Sequence, residues 1–277
     1  MRVVIKPLGY ARIASRPLST PSVAAKDEAV AAPPPSTVLG MLGALAGVRA
    51  ECPGGGPAGA ELQLVMLKET LGVKSVWGPL VEIDGVLHAP GLDALYIIKM
   101  DNAARAVGKR AVSVVRRVGL ALGPNKTAAP GYLYSAIYVA EKAKYIYYID
   151  AEGLRGGLAR LGGEGRMAVV EIEEASAGVP EVINGRALVL TPVLMPEGEL
   201  PNCIKPLGVL EERGGGLELV PKVRVIQWGL GFSEVCKERR PMYPALAPGT
   251  VVEARGCKKN VGYLAELGYG ALLPLEV

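Results

Sequence analysis

Residues 38–48 form the longest apolar run of the chain, well short of the roughly 20 residues that cross a bilayer. The 36 glycines and 22 prolines of the 277 residues cut the rest into short apolar segments. Segments of this kind, bounded by Gly, Pro, Asn and Asp, read as strands and turns. The expectation is an α+β protein in which strands outnumber helices, with enough chain for one large domain or two ordinary ones. No transmembrane segment is expected. Residues 1–5 run straight into Lys6 and Pro7, so they read as a first strand and not as a secretory leader.

Strands are expected at residues 2–7, 145–150 and 167–173, with short strands across 77–95 that turn at Asp84-Gly85 and at Pro90-Gly91. Residues 7–35 read as a long loop or insertion carrying Arg12 and Arg16. Pro33-Pro34-Pro35 then announces a helix, with Ser36 or Thr37 as its cap and with Gly40, Gly43 and Gly47 allowing close approach to a sheet. Residues 52–59 read as a loop, 61–69 as either helix or strand, 101–107 as a helical segment, and 154–161 as a short amphipathic element. The linker-like residues 175–185 divide the chain into a unit at 1–185 and a second at 186–277. Strands of the second unit are expected near 187–191, 217–228, 251–255 and 271–275.

Residues 115–136 carry the strongest functional signal. Two strand-compatible runs flank a loop of Gly, Pro, Asn and Lys, with Arg116 and Arg117 before it, Lys126 and Thr127 within it, and Tyr132 and Tyr134 after it. Cations neutralise phosphates and aromatic faces stack on bases, so this reads as a hairpin that touches nucleic acid. Alternation places Tyr132, Tyr134 and Tyr138 on one strand face, where burial is the commoner fate. With a single Phe in the chain, the aromatic sheet of a typical RNA-recognition domain is absent.

Charge is segregated along the sequence although the net value is only +4. Residues 99–126 hold seven bases against Asp101, residues 164–212 nine acids against three bases, and residues 222–259 eight bases against three acids. Opposite faces for a polyanion and for a basic neighbour are one reading; the solvated surface of a heat-adapted protein is an equal one. Only two glutamines and five asparagines occur, a depletion that fits a thermophile.

Cys52, Cys203, Cys236 and Cys257 form no CxxC pair, so neither a zinc ribbon nor a disulfide framework is indicated and a reducing cytoplasm is expected. Gly162, Gly163 and Gly165 form neither a dinucleotide fingerprint nor a Walker loop. They could build an anion nest with Arg155, Arg160 and Arg166 nearby, or equally a tight turn between packed elements. Arg239 and Arg240, with Lys237, are either solvated charge or a second phosphate contact. His88, the only histidine, sits beside a proline turn and reads as structural. No catalytic set, metal cluster or cofactor signature stands out, which favours binding over catalysis.

Five blocks in order carry a resemblance: residues 34–40 (PPSTVLG), Gly78-Pro79-Leu80, residues 117–122 with 126–128 and 131–134, residues 161–166 (LGGEGR), and Trp228 with residues 248–251 (PGTV). Together they resemble the third-subunit family of the type III-B CRISPR effector, the Cmr complex, a 5′-handle-binding group of the RAMP superfamily. The resemblance implies two tandem ferredoxin-like, RRM-type units with long loop insertions. It also implies a cytoplasmic, non-catalytic antiviral-defense subunit that binds the 5′ handle of CRISPR RNA. Its partners would be the Palm-domain large subunit and the adjacent backbone RAMP subunit, with no cofactor and no membrane. By motif position the implied RNA contacts are Ser36, Thr37, Arg117, Lys126, Thr127, Tyr132, Gly162, Gly163, Gly165 and Arg166. The chain departs from the pattern at Gly43, Leu18, Gly229 and Leu230. The alternatives are a repeat-cutting RAMP endoribonuclease, the type III-A counterpart, and a structural subunit that holds its neighbours without touching RNA.

Overall fold

The computed structural model describes residues 1–13, 30–100, 104–122, 128–139, 142–163, 165–175, 178 and 180–276; within 119–122 and 128–136 it describes the backbone only. The first part of the chain holds helices α1 (Pro35–Leu45) and α2 (Gly56–Thr70) and strands β1 (Arg2–Pro7), β2 (Ser75–Ile83), β3 (Val86–Pro90), β4 (Ala94–Met100), β5 (Ala104–Ala111), β6 (Val114–Leu122), β7 (Ala128–Val139), β8 (Ala143–Asp150), β9 (Gly157–Arg160) and β10 (Met167–Glu173). Eight of these strands form an antiparallel sheet in the order β5-β4-β3-β2-β8-β1-β10-β9, while β6 and β7 make a separate two-stranded ribbon. β1 and β10 take the bounds expected for them, β10 with the apolar alternation that its sequence shows. The β2–β3 turn at Asp84-Gly85 has positive φ at both residues, the geometry that matches the twist of a two-residue hairpin.

The remainder holds β11 (Val182–Val189), β12 (Val193–Leu194), β13 (Ile204–Arg213), β14 (Gly216–Val220), β15 (Val225–Gly229), β16 (Phe232–Ser233), β17 (Glu238–Arg239), β18 (Met242–Leu246), β19 (Thr250–Lys258) and β20 (Leu272–Pro274). Its main sheet is five-stranded, β14-β13-β19-β11-β20, beside a three-stranded sheet β12-β18-β15. Among the described residues its only helical element is the 3-10 turn Ala265–Leu267. The expected α+β class with strands dominant is what the chain shows.

Three layers follow from the two-residue alternation of side chains. One face of the eight-stranded sheet, with Val3, Ile5, Tyr145, Tyr147, Val81 and Ile83, packs under α1 and α2. The opposite face, with Trp77, Leu80, Ile146 and Ile98, packs on Leu188, Leu210, Val251 and Leu273 of the five-stranded sheet. Polar contacts lock this seam: the Trp77 indole N–H donates to the Leu272 carbonyl at 2.9 Å, and the Asn260 amide donates to the Val76 carbonyl at 2.6 Å. The basic and acidic sequence blocks meet here too, where the backbone N–H of Lys109 on β5 donates to the Glu212 carboxylate on β13.

Five local expectations are corrected. No side chain caps α1: its N-cap is Pro34, with Ser36 and Thr37 inside the first turn. Gly43 lets α1 approach α2 and not a sheet, because a Cβ there would stand 2.7 Å from Leu67 Cδ1. Residues 104–111, partly read as helix, form β5 against β4, and residues 157–160 form β9 against β10. α2 begins at Gly56, within residues read as a loop, with Pro57 in its first turn.

The cysteines also depart from expectation. Cys52 is bonded to Cys236, Cys203 to Cys257, and no cysteine is free. The first links the segment before α2 to the β16–β17 loop, 184 residues away in sequence. When the protein is unfolded without reductant, a thiol reagent is expected to find none of the four cysteines, and all four after reduction; a full count before reduction would contradict both bonds.

Candidate nucleic-acid interface

Three segments distant in sequence converge at the base of the β6–β7 ribbon. Residues 10–13 are stapled to β7 by two backbone bonds between Ala11 and Val139, at 3.1 and 2.8 Å. On the other side the Arg12 carbonyl accepts from the Gly163 N–H at 3.3 Å, and Arg12 bridges to Gly162. Gly162 makes this approach possible: its φ is +66°, and a Cβ would lie 2.1 Å from the Arg12 oxygen. The glycine block is thus a close-packed turn, and the Gly163 amide already has a partner instead of standing open in an anion nest.

This packing gathers cations around two aromatic rings. In the ladder Arg117 stands opposite Ala136 and Val115 opposite Tyr138, so alternation puts Arg117 and Tyr138 on one face of the ribbon, with Arg116 on the other. The Arg117 guanidinium lies 5.7 Å from the centre of the Tyr138 ring and 5.3 Å from that of Tyr10. The Arg166 guanidinium lies 4.9 Å from the same Tyr138 ring. Each such contact contributes about 0.5–1 kcal/mol at exposed sites and more when desolvated. Among the described residues no carboxylate pairs with Arg117 or Arg166, and the Arg166 Nε is buried without a hydrogen-bond partner. Two guanidiniums held against one buried ring, with no carboxylate partner among the described residues, are suited to an anionic ligand, above all a phosphodiester backbone.

The other sequence candidates fall into groups. Arg116, Arg155 and Arg160 are exposed, the last on β9 opposite Met167 and so close along the strand pair to Arg166. Thr37 is half-buried in α1, and Gly165 is exposed with φ +64°. Lys126 and Thr127 lie outside the described residues, as does the side chain of Tyr132. Ser36 is a correction: it is buried, and its Oγ accepts a hydrogen bond from the Tyr269 hydroxyl at 3.2 Å. Arg239 is half-buried and engaged with the protein. His88 is buried within β3, its Nδ1 2.9 Å from the Val86 carbonyl oxygen. Among the described residues no group of His, Cys, Asp and Glu is placed to hold a metal ion. Tyr10 was not a sequence candidate, because no spacing or local motif marks it; only the fold sets it against Arg117.

Arg240 is the second correction. Its Nε donates to the Ala60 carbonyl, Nη1 to the Phe232 carbonyl and Nη2 to Gln63 Oε1, each at 2.9 Å. Burial pulls its pKa down, against the pull of Tyr269. The guanidinium is therefore a clasp between α2 and the β16–β17 loop, beside the Cys52–Cys236 bond. A second clasp stands near it, where the buried Glu61 accepts from the hydroxyls of Tyr243, at 2.6 Å, and Tyr263.

Several phenols, buried or, in Tyr263, bonded to the buried Glu61, make the fold sensitive to alkali. Tyr269 is pushed up to about 12 by burial, Tyr96 to about 12 by burial and then by Asp93, and Tyr263 to about 12 by desolvation and then by its bond to Glu61. An unfolded tyrosine titrates near 10, so the stability these groups add is fully present below pH 10 and is lost as pH rises through about 12. Thermal midpoints should fall across that window alongside tyrosinate absorbance; a flat midpoint would contradict it.

No protein-family model matches the chain, and no curated protein does. Solved structures do match. A chain of the structure described as type III-B Cmr-beta bound to cognate target RNA shares the fold with a TM-score of 0.66 at 23% identity, over 99% of this chain and 96% of that one. A chain of the Cmr-beta structure bound to cognate target RNA and AMPPnP, state 1, matches with a TM-score of 0.65 at 22% identity, over 91% and 86%. The likeness runs nearly end to end, so it concerns the whole architecture and not one sheet.

Proposed function

We propose that this chain, which has the fold of chains found in type III-B Cmr-beta complexes, is a non-catalytic subunit of such an RNA-guided effector, serving antiviral defense in the cytoplasm. Its role is to bind the 5′ handle of the CRISPR RNA and to dock the Palm-domain large subunit and an adjacent backbone RAMP subunit. On this reading the two main sheets are two ferredoxin-like units, the second without α-helices among the described residues.

One observation carries the RNA assignment. Arg117 and Arg166, 49 residues apart, are held on a single ring without a carboxylate partner among the described residues, and Arg116 on β6 and Arg160 on β9 stand exposed near them in the strands. The endoribonuclease alternative loses its best acid or base, because His88 is 2% exposed and cannot meet a substrate without opening β3.

The test is binding of the purified chain to single-stranded RNA that carries a repeat-derived 5′ end, measured across salt concentrations. The logarithm of the affinity should fall linearly with the logarithm of salt, with a slope of about −0.7 per neutralised phosphate. Absence of binding at low salt, or cleavage of the RNA, would overturn the reading.

A further inference from the structure

Tyr10 sits at the end of an exposed segment that leaves β1: Leu8 is 63% and Tyr10 39% exposed. A tyrosine that served packing alone would ordinarily bury its ring, as Tyr138 does at 5%. Tyr10 instead stays 39% exposed while the Arg117 guanidinium lies 5.3 Å from its ring centre. Its chain neighbour Ala11 is pinned by the paired bonds to Val139, and Arg12 by the glycine turn. The backbone that carries the ring is therefore ordered before any ligand arrives, which lowers the entropy lost on binding.

We infer that Tyr10 is a stacking platform for one unpaired nucleobase, with Arg117 holding the phosphate beside it. This rests on the RNA reading above and adds to it a residue and a ligand class. Single-stranded nucleic acid is held where a base lies on an aromatic face and a cation meets the adjoining backbone. A base inside a duplex is already stacked on its neighbours and offers no free face, so the nucleotide at Tyr10 is unpaired. Arg117 contributes twice: its contact with Tyr10 fixes the ring, and its remaining N–H groups are a fork for phosphate oxygens.

The experiment uses the full chain and single-stranded RNA oligonucleotides in which 2-aminopurine replaces each base in turn. Wild type should quench the probe at one position. Tyr10→Leu should abolish that quench and weaken binding about tenfold with the salt slope unchanged, because stacking is lost but no phosphate contact is. Tyr10→Phe should keep both the quench and the affinity, which excludes a merely misfolded variant as the cause. If Tyr10→Leu binds and quenches as wild type does, the stacking role is overturned while the RNA reading stands. If wild type itself fails to bind, both fall.

Discussion

Replacing Arg117 and Arg166 together by alanine is expected to weaken binding to single-stranded RNA by about a hundredfold or more at low salt, since each charge-assisted contact is worth about 1.5–3 kcal/mol. The salt slope should fall in magnitude by about 1.4, the share of two phosphates on a single strand. Both guanidiniums rest on Tyr138, so the single variants are not expected to add up. Removing one relieves like-charge repulsion on the other, and the double variant should differ from the sum of the two. The fold should survive, because neither residue has a carboxylate partner among the described residues. A double variant that binds RNA with wild-type affinity and slope would remove the cluster from the interface.

Arg240→Ala should do the reverse. It strips three donors from the Ala60 carbonyl, the Phe232 carbonyl and Gln63, and leaves these acceptors without a cation. The expected loss is about 2–4 kcal/mol of stability. At this chain length that lowers the thermal midpoint by about 3–7 °C. Arg240→Lys should recover only part, because one ammonium cannot span three acceptors set around a planar fork. RNA affinity should be unchanged in both variants. A drop in affinity at unchanged stability would return Arg240 to the interface and contradict the clasp.

Much of the fold is legible in the sequence, where local signals and tertiary packing agree. β10 alternates because one face of it is buried, β1 is a continuous apolar run because both its faces are covered, and Asp84-Gly85 marks its turn by backbone preference alone. Reading fails where packing overrides local preference. Residues 104–111, rich in Ala, Lys and Arg, look helical, yet they pair with β4 along the sheet edge. α2 hides its start in a Gly-Pro stretch, and the disulfide partners, 184 and 54 residues apart, have no spacing to betray them.

The candidate site shows the same division. Arg117 and Arg166 each stand out in the sequence by charge and by motif, while their shared ring is a product of long-range pairing between residues 11 and 139 and between 12 and 162. Ser36 and Arg240 carry the right chemistry for RNA but are used inside the protein. Tyr10 has no sequence signal, since an exposed tyrosine after a short strand is unremarkable until an arginine from another segment lies against it.

The most direct test of the RNA-binding cluster is ultraviolet crosslinking of the assembled ribonucleoprotein, followed by mass spectrometry of the joined peptides. The account predicts that the first nucleotides at the 5′ end of the guide RNA crosslink to peptides of this chain containing Tyr10, Tyr138 or residues 162–166. Crosslinks from that end to another subunit alone, with none to these peptides, would contradict it.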